Sequence, residues 1–224
     1  MIPRLIADTD RWWVVEKPSG WLTIPGRQGL AGPPVLVDWL SGVSGCSEQG
    51  RRPFVVHRID RETSGLVLFA KTAESHAWAC SAFENRKVAK RYDALIGRRE
   101  GTGPEQEWIR PLSRPLLRLD SPIEGKPSVT QVEIKKRYGE GSLAWVRARI
   151  FSGRRHQIRI HLSEIGYPLM GDLQYGGQTE VTEGLTVNRV ALHASELELP
   201  GGEKYLCPLP ADFVDWLSIL ESKV

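Results

Sequence analysis

The sequence predicts an α+β fold, a single domain over residues 1–224 built on a mixed, largely antiparallel β-sheet flanked by helices. Three observations carry that expectation. Short runs in which apolar and polar residues alternate outnumber the segments with helical periodicity. The clearest two, Val129–Ile134 and Leu143–Ile150, flank the turn residues Tyr138-Gly139-Glu140-Gly141 and read as an antiparallel hairpin. The marks of a doubly wound nucleotide-binding sheet are missing. No G-x-x-x-x-G-K-S/T occurs, since Asp120 stands where glycine would have to precede Gly125-Lys126, and no G-x-G-x-x-G follows a strand-like run, so ATP and NAD find no support.

The first strand is expected at Trp12-Trp13-Val14-Val15, which runs into the turn residues Lys17-Pro18-Ser19-Gly20. Residues 25–50 are rich in Gly and Pro around Val35-Leu36-Val37-Asp38-Trp39-Leu40, the pattern of a short helix between long loops. Phe54-Val55-Val56 and Leu66-Val67-Leu68-Phe69-Ala70 are strand-like and enclose a polar segment from His57 to Gly65. A polar loop presented by buried strands is a favourable place for chemistry. A helix follows, N-capped by Thr72 with Glu74 in its first turn, and Trp78, Ala82 and Phe83 form its apolar stripe. Arg91–Gly97 alternates into another strand. Beyond the hairpin, Ile158, Leu162 and Ile165 recur at helical spacing before Gly166 and Pro168 and predict a short helix. Phe213, Trp216, Leu217 and Leu220 predict a terminal helix docked by its apolar face.

Composition narrows the class. With 41% apolar residues and eight Trp among 224 residues, the chain has material for a sizeable core and is not a disordered segment. No apolar run approaches the roughly 20 residues that cross a bilayer, and the N-terminus has no export pattern, so a soluble cytoplasmic protein is expected. Cys46, Cys80 and Cys207 are scattered and include no C-x-x-C pair, which argues against a disulfide framework and a cysteine-based zinc site. Lys and Arg exceed Asp and Glu by only 30 − 27 = 3, yet they cluster at 51–61, 86–99, 110–118, 135–137 and 147–159. That clustering suits an anionic partner, and it equally suits a set of solvated faces.

Two polar clusters could carry chemistry. In His57-Arg58-Ile59-Asp60-Arg61-Glu62-Thr63-Ser64-Gly65 an aspartate sits among arginines. A structural ion pair is one reading; a carboxylate kept ionised by Arg, as nucleophile or base, is the other. Gly153-Arg154-Arg155-His156-Gln157-Ile158-Arg159-Ile160-His161 suits phosphate contact. His156 and His161 are five apart, about 140° round a helix, so they do not converge on a metal, and no metal site is expected.

The segment His57-Arg58-Ile59-Asp60-x-x-Thr63-Ser64-Gly65-Leu66, continuing to Ala70-Lys71, resembles the signature of the RluA-type RNA pseudouridine synthases. Three further motifs stand in family order: Glu16-Lys17-Pro18-x-Gly20, Lys90-x-Tyr92-x-Ala94-Leu95-x-Gly97, and Gly153-Arg154-x-His156-Gln157-Ile158-Arg159 leading to Gly166-x-Pro168-x-x-Gly171-Asp172-x-x-Tyr175-Gly176. A weaker tail, Leu192-His193-Ala194-x-x-Leu197, also matches. The resemblance spans about residues 12 to 200. Ile59 for the usual Leu and Arg155 for a frequent Thr are its visible departures.

The resemblance implies a pseudouridine synthase fold with a central RNA-binding cleft, and an isomerase that turns a specific uridine of structured tRNA or rRNA into pseudouridine without cofactor. It implies catalytic roles for Asp60, Tyr92 and Arg159: Asp60 acts at the sugar or base, Arg159 pairs with it, and Tyr92 stacks on the uracil and takes the C5 proton. Substrate contacts are expected from Arg58, which fills the space of the flipped base, and from His57, Lys17, Lys71, Arg154 and Ile158. An N-terminal S4-type module is not expected, so the 25–50 loop and the basic stretch 98–118 are candidates for RNA selection. A monomer is expected because no long apolar stripe is left over. Two other classes compete: an RNA-binding or RNA-folding protein on the same fold, and an aspartate-nucleophile hydrolase of small anionic substrates.

Overall fold

The computed structural model of the chain describes residues 1–26, 32–43, 52–99, 116–139, 142–182 and 185–222. In chain order the elements are β1 (Arg4–Asp8), β2 (Trp12–Lys17), α1 (Leu36–Gly42), β3 (Phe54–Val55), β4 (Ser64–Ala70), α2 (Ala73–Glu84), β5 (Ala89–Gly97), β6 (Leu116–Leu119), β7 (Thr130–Tyr138) and β8 (Leu143–Ile150). They continue as α3 (Gln157–Glu164), a 3-10 turn (Leu173–Tyr175), β9 (Glu180–Thr182), β10 (Leu185–Thr186), β11 (Leu192–Glu198), β12 (Lys204–Leu206) and α4 (Ala211–Glu221). The α+β class read from the sequence holds. The described residues include no helix long and apolar enough to cross a membrane. The chain forms two compact units, Met1–Ala89 with Ala194–Cys207, and Lys90–His193 with Pro208–Val224.

In the first unit the strands run in the order β1-β2-β4-β11, with β12 against β11 and β3 against β4. Every residue of β4 is buried, which explains its unbroken apolar run. Trp12, Val14, Leu66, Leu68 and Ala70 pack with Ala79 and Ala82 of α2, the helix that Thr72 caps by accepting from the Ser75 amide at 3.1 Å. The β2–β4 register sets Lys17 opposite Gly65. Gly65 has φ +113°, and a Cβ there would lie 2.3 Å from the Ala194 carbonyl oxygen, so only glycine lets β4 begin at this place.

The second unit is an antiparallel sheet in the order β5-β8-β7-β6. The expected hairpin is present and longer than its alternation suggests, because a register shift between Ile134 and Lys136 carries β7 on to Tyr138. One face receives α4: Phe213, Trp216, Leu217 and Leu220 pack with Leu95, Tyr138 and Trp145. The other face, where Tyr92, Ala148 and Val132 lie in one row, receives α3. Strands β1, β6, β9, β10, β11 and β12 were not expected from the sequence.

Replacing Gly65 by alanine forces a side chain into backbone and a strained φ, at a cost of roughly 3 kcal/mol. Calorimetry should show the melting temperature of Gly65→Ala lowered by roughly 8 °C; an unchanged value would contradict the close approach to Ala194.

Candidate active site

In the first unit, the polar loop between β3 and β4 is fastened at successive residues. The Leu68 amide donates to Nε2 of His57 at 3.0 Å, which leaves the ring proton of neutral His57 on Nδ1, and the ring stacks on Phe83 at 4.7 Å. Ile59 exchanges two longer contacts with the Thr23 hydroxyl, at 3.3 and 3.4 Å. The Asp60 carbonyl accepts from the Thr63 amide at 3.1 Å, closing a turn, and the Arg61 carbonyl accepts from the Gly20 amide at 2.8 Å. Ser19 donates to the Glu62 carbonyl at 2.7 Å. Asp60 is thus a half-buried carboxylate whose backbone neighbours on both sides are held. Arg58, two residues earlier, is exposed.

Lys17 is the centre of this fastening. Its side chain is fully buried, and Nζ donates to the carbonyls of Pro18 at 3.0 Å, Trp21 at 2.8 Å and Arg61 at 3.0 Å. Three acceptors match its three N–H donors. The expectation that Lys17 contacts substrate is therefore corrected: an ammonium enclosed by carbonyls holds the loop and does not reach RNA. Lys71 stands apart from this fastening. It lies beyond the far end of β4, about 20 Å along the strand from Ser64. Its ammonium pairs with Asp8 and sits 5.0 Å from the centre of the Trp13 ring. His57, wedged between Leu68 and Phe83, serves as scaffold as well.

In the second unit Tyr92 and α3 share one side of the sheet. The helix starts abruptly, with His156 in the left-handed region at φ 55°. Gln157 anchors that start: its Oε1 accepts from Ser152 Oγ at 2.8 Å and the Arg154 amide at 3.2 Å, while Nε2 donates to the Val129 carbonyl at 2.9 Å and Thr130 Oγ1 at 3.1 Å. Arg159, two residues further, is buried and paired in two-pronged fashion with buried Asp172, Nε to Oδ2 at 2.6 Å and Nη2 to Oδ1 at 2.8 Å. Nη2 also donates to Gln174 Oε1 at 3.2 Å, and the guanidinium lies 4.9 Å from the centre of the Tyr175 ring. The Tyr175 hydroxyl is 2.9 Å from His156 Nδ1. Asp172, Gln174 and Tyr175 are positioning residues; sequence reasoning named Asp172 and Tyr175 only as letters of a motif and passed over Gln174, because no spacing told that they close on Arg159.

Ile158, on α3 between Gln157 and Arg159, is 5% exposed. Arg154 is half-buried beside α3. Lys90 shares the Tyr92 face two residues earlier, next to Gly153, and burial pushes its amine down to about 8. His161 is taken up by Thr130 Oγ1 and the Ser121 carbonyl, and no group of three His, Cys, Asp or Glu side chains gathers among the described residues. Of the two stretches expected to select RNA, residues 27–31, 44–50 and 100–115 lie outside the described residues.

Comparison with known proteins adds to this geometry. The family described as RNA pseudouridylate synthase matches residues 11–164. Ribosomal large subunit pseudouridine synthase D of Haemophilus ducreyi is 32% identical over an alignment of 235 residues, 97% of this chain and 70% of that protein. The protein of the same name from Pseudomonas aeruginosa is 31% identical, over 96% of this chain and 71% of its own length. Among solved structures, human RNA pseudouridylate synthase domain containing 4 superposes with a TM-score of 0.72 at 22% identity, covering 97% of this chain and 92% of that one, which is a likeness of fold.

Two outcomes follow from the buried cations. Lys17→Met leaves three carbonyls without their donor and should lower stability by roughly 3 kcal/mol in denaturant unfolding; a loss below about 0.5 kcal/mol would contradict the clamp. For Lys90 the folded value near 8 lies below the ordinary 10.5, so between those values the unfolded chain binds more protons and stability rises with pH. Lys90→Met should remove that rise, as stability measured from pH 7 to pH 11 would show. Parallel stability–pH curves for the two proteins would contradict it.

Proposed function

The chain belongs to the RNA pseudouridylate synthase family, which isomerises uridine to pseudouridine in RNA, and from that premise we propose that it acts on large-subunit ribosomal RNA with Asp60 as the catalytic carboxylate. The observation that carries the assignment to Asp60 is the fastening of its loop: residues 57, 59, 61 and 62 are each tied to β4 or to residues 17–23, and a carboxylate is presented between them. The ribosomal substrate is supported by the names of relatives that share most of this chain.

The reaction breaks the N1–C1′ bond of uridine, turns the uracil and joins C5 to C1′, with loss of the C5 proton and return of a proton to N1. No electron is transferred and no outside group is added. Asp60 attacks or assists at the sugar or base when N1 departs. Tyr92, buried on the α3 side of the sheet, stacks on the uracil and removes the C5 proton. A phenol with its ordinary value near 10 is a weak base at neutral pH, so the bound C5 proton must be made acidic before Tyr92 takes it. Arg159, held by Asp172 and Gln174, is the third residue that the family resemblance assigns to the reaction. The target leaves its stack at a cost of a few kcal/mol, and exposed Arg58 fills the vacated space.

Tritium release from RNA labelled at uridine C5 tests this reading, with ribosomal and transfer RNA transcripts assayed separately. Asp60→Asn keeps the side-chain volume and should lower release by about 10³-fold or more while RNA affinity changes little. Full turnover by that variant would remove Asp60 from the reaction, and release confined to transfer RNA would overturn the ribosomal assignment.

A further inference from the structure

In the second unit the sheet face that carries Tyr92 ends, past the C-terminus of α3, in two arginines. The bridge between Ile96 and Leu169 fixes one of them. With the Gly97 amide donating to the Pro168 carbonyl at 3.0 Å and the Arg99 amide to the Gly166 carbonyl at 2.9 Å, it sets Arg98 opposite Tyr167. The other is Arg137 of β7, which faces Ala144 of β8, which in turn faces Ile96 of β5. Register partners, and residues two apart on a strand, share a face, so Arg98, Arg137 and Tyr167 all lie on the Tyr92 side. The fold thereby brings together two basic clusters, at 86–99 and 135–137, that are distant in sequence. Both arginines are exposed, whereas Ile96, Ala144, Tyr167 and Leu169 are buried. The charges acting on the Tyr167 hydroxyl are these two: burial raises its pKa, and Arg98 and Arg137 both draw it down. The carboxylates nearby in the chain are engaged elsewhere. Glu164 accepts from the Ser121 hydroxyl, Glu133 pairs with Lys135 at 3.0 Å, and Glu221 pairs with Lys136 at 2.7 Å. Among the described residues Arg98 and Arg137 form no ion pair, unlike the two lysines that precede Arg137.

We propose that Arg98 and Arg137 form an anion site that takes backbone phosphates of the substrate RNA at a distance from the target uridine. The site rests on the reading of the chain as an RNA-modifying enzyme, whose substrate is a polyanion. Guanidinium forks match phosphate oxygens and give contacts that position RNA without reading its sequence. Two exposed cations with no carboxylate between them repel each other, and a phosphate bound to both offsets that repulsion. Arg98 is six residues along β5 from Tyr92, about 20 Å. That span is roughly six nucleotides of a stacked strand, so the site engages a segment flanking the uridine and leaves the reacting base to the residues around Tyr92.

The test follows binding of a large-subunit ribosomal RNA transcript by Arg98→Ala/Arg137→Ala and by Arg98→Lys/Arg137→Lys, from about 50 to about 200 mM salt. For the alanine variant the log–log salt slope should fall by about 1 to 2 and the affinity weaken about tenfold. Its single-turnover isomerisation at saturating RNA should stay within about twofold of wild type, and its melting temperature should not move, since both side chains are exposed. The lysine variant keeps both charges and should keep the slope. An unchanged slope in the alanine variant would overturn the proposal, and so would an equal loss of slope in the lysine variant. Weaker binding accompanied by a lowered melting temperature would overturn it as well, by assigning the arginines to the fold. A wild type that isomerises no uridine would instead remove the catalytic reading, while the salt slopes still decide the anion site.

Discussion

A buried ammonium with three carbonyl partners is the constraint on which the candidate site rests. Lys17 ends β2, where its register partner on β4 is Gly65, and its Nζ reaches the Pro18, Trp21 and Arg61 carbonyls. A fully buried charge is tolerable only when it is densely hydrogen-bonded. The same need that stabilises the lysine therefore fixes the chain around it. Because the Arg61 carbonyl is one of the acceptors, the constraint passes to the residue beside Asp60. The Gly65 approach to Ala194 and the His57 contact to the Leu68 amide set where the loop rejoins the sheet.

The second unit applies the same physics with a charged acceptor in place of neutral carbonyls. Arg159 is buried and its guanidinium is gripped edge-on by Asp172, steadied by Gln174 and covered by the Tyr175 ring, which His156 holds in turn. A fork held at two nitrogens has little rotational freedom, so its orientation is settled before substrate arrives. Gln157 does for the helix start what Lys17 does for the loop, joining residues 152 and 154 to β7. Both units thus spend buried polar groups on orientation, and the residues proposed to meet RNA are carried by that scaffold.

Much of the fold was legible because the governing signals are local. Alternation exposed β5, β7 and β8, the apolar run exposed β4, and the Thr72 cap and the helical spacings of α2, α3 and α4 were readable within a few residues. Strand β11 was not, because His193, Ser195 and Glu196 are buried polar residues that erase the alternation. Strand β1 is broken in register near Ala7, and β6 is only four residues long. Of the residues proposed for the reaction, Asp60, Tyr92 and Arg159 stand out in the sequence through motif order alone. The fate of Lys17 was not, since Lys-Pro-Ser-Gly reads as an exposed turn and its acceptor at Arg61 lies 44 residues away. Asp172 likewise sits 13 residues from Arg159.

On the proposed reading, the Lys17 clamp sets the geometry from which Asp60 works. Single-turnover isomerisation by Lys17→Met, measured with amide hydrogen exchange at Gly20 and Thr63 at a temperature where the variant is fully folded, tests it most directly. Faster exchange is expected at both amides, together with a fall of about tenfold or more in the single-turnover rate and little change in RNA affinity. Exchange that quickens while the rate stays at the wild-type value would contradict it.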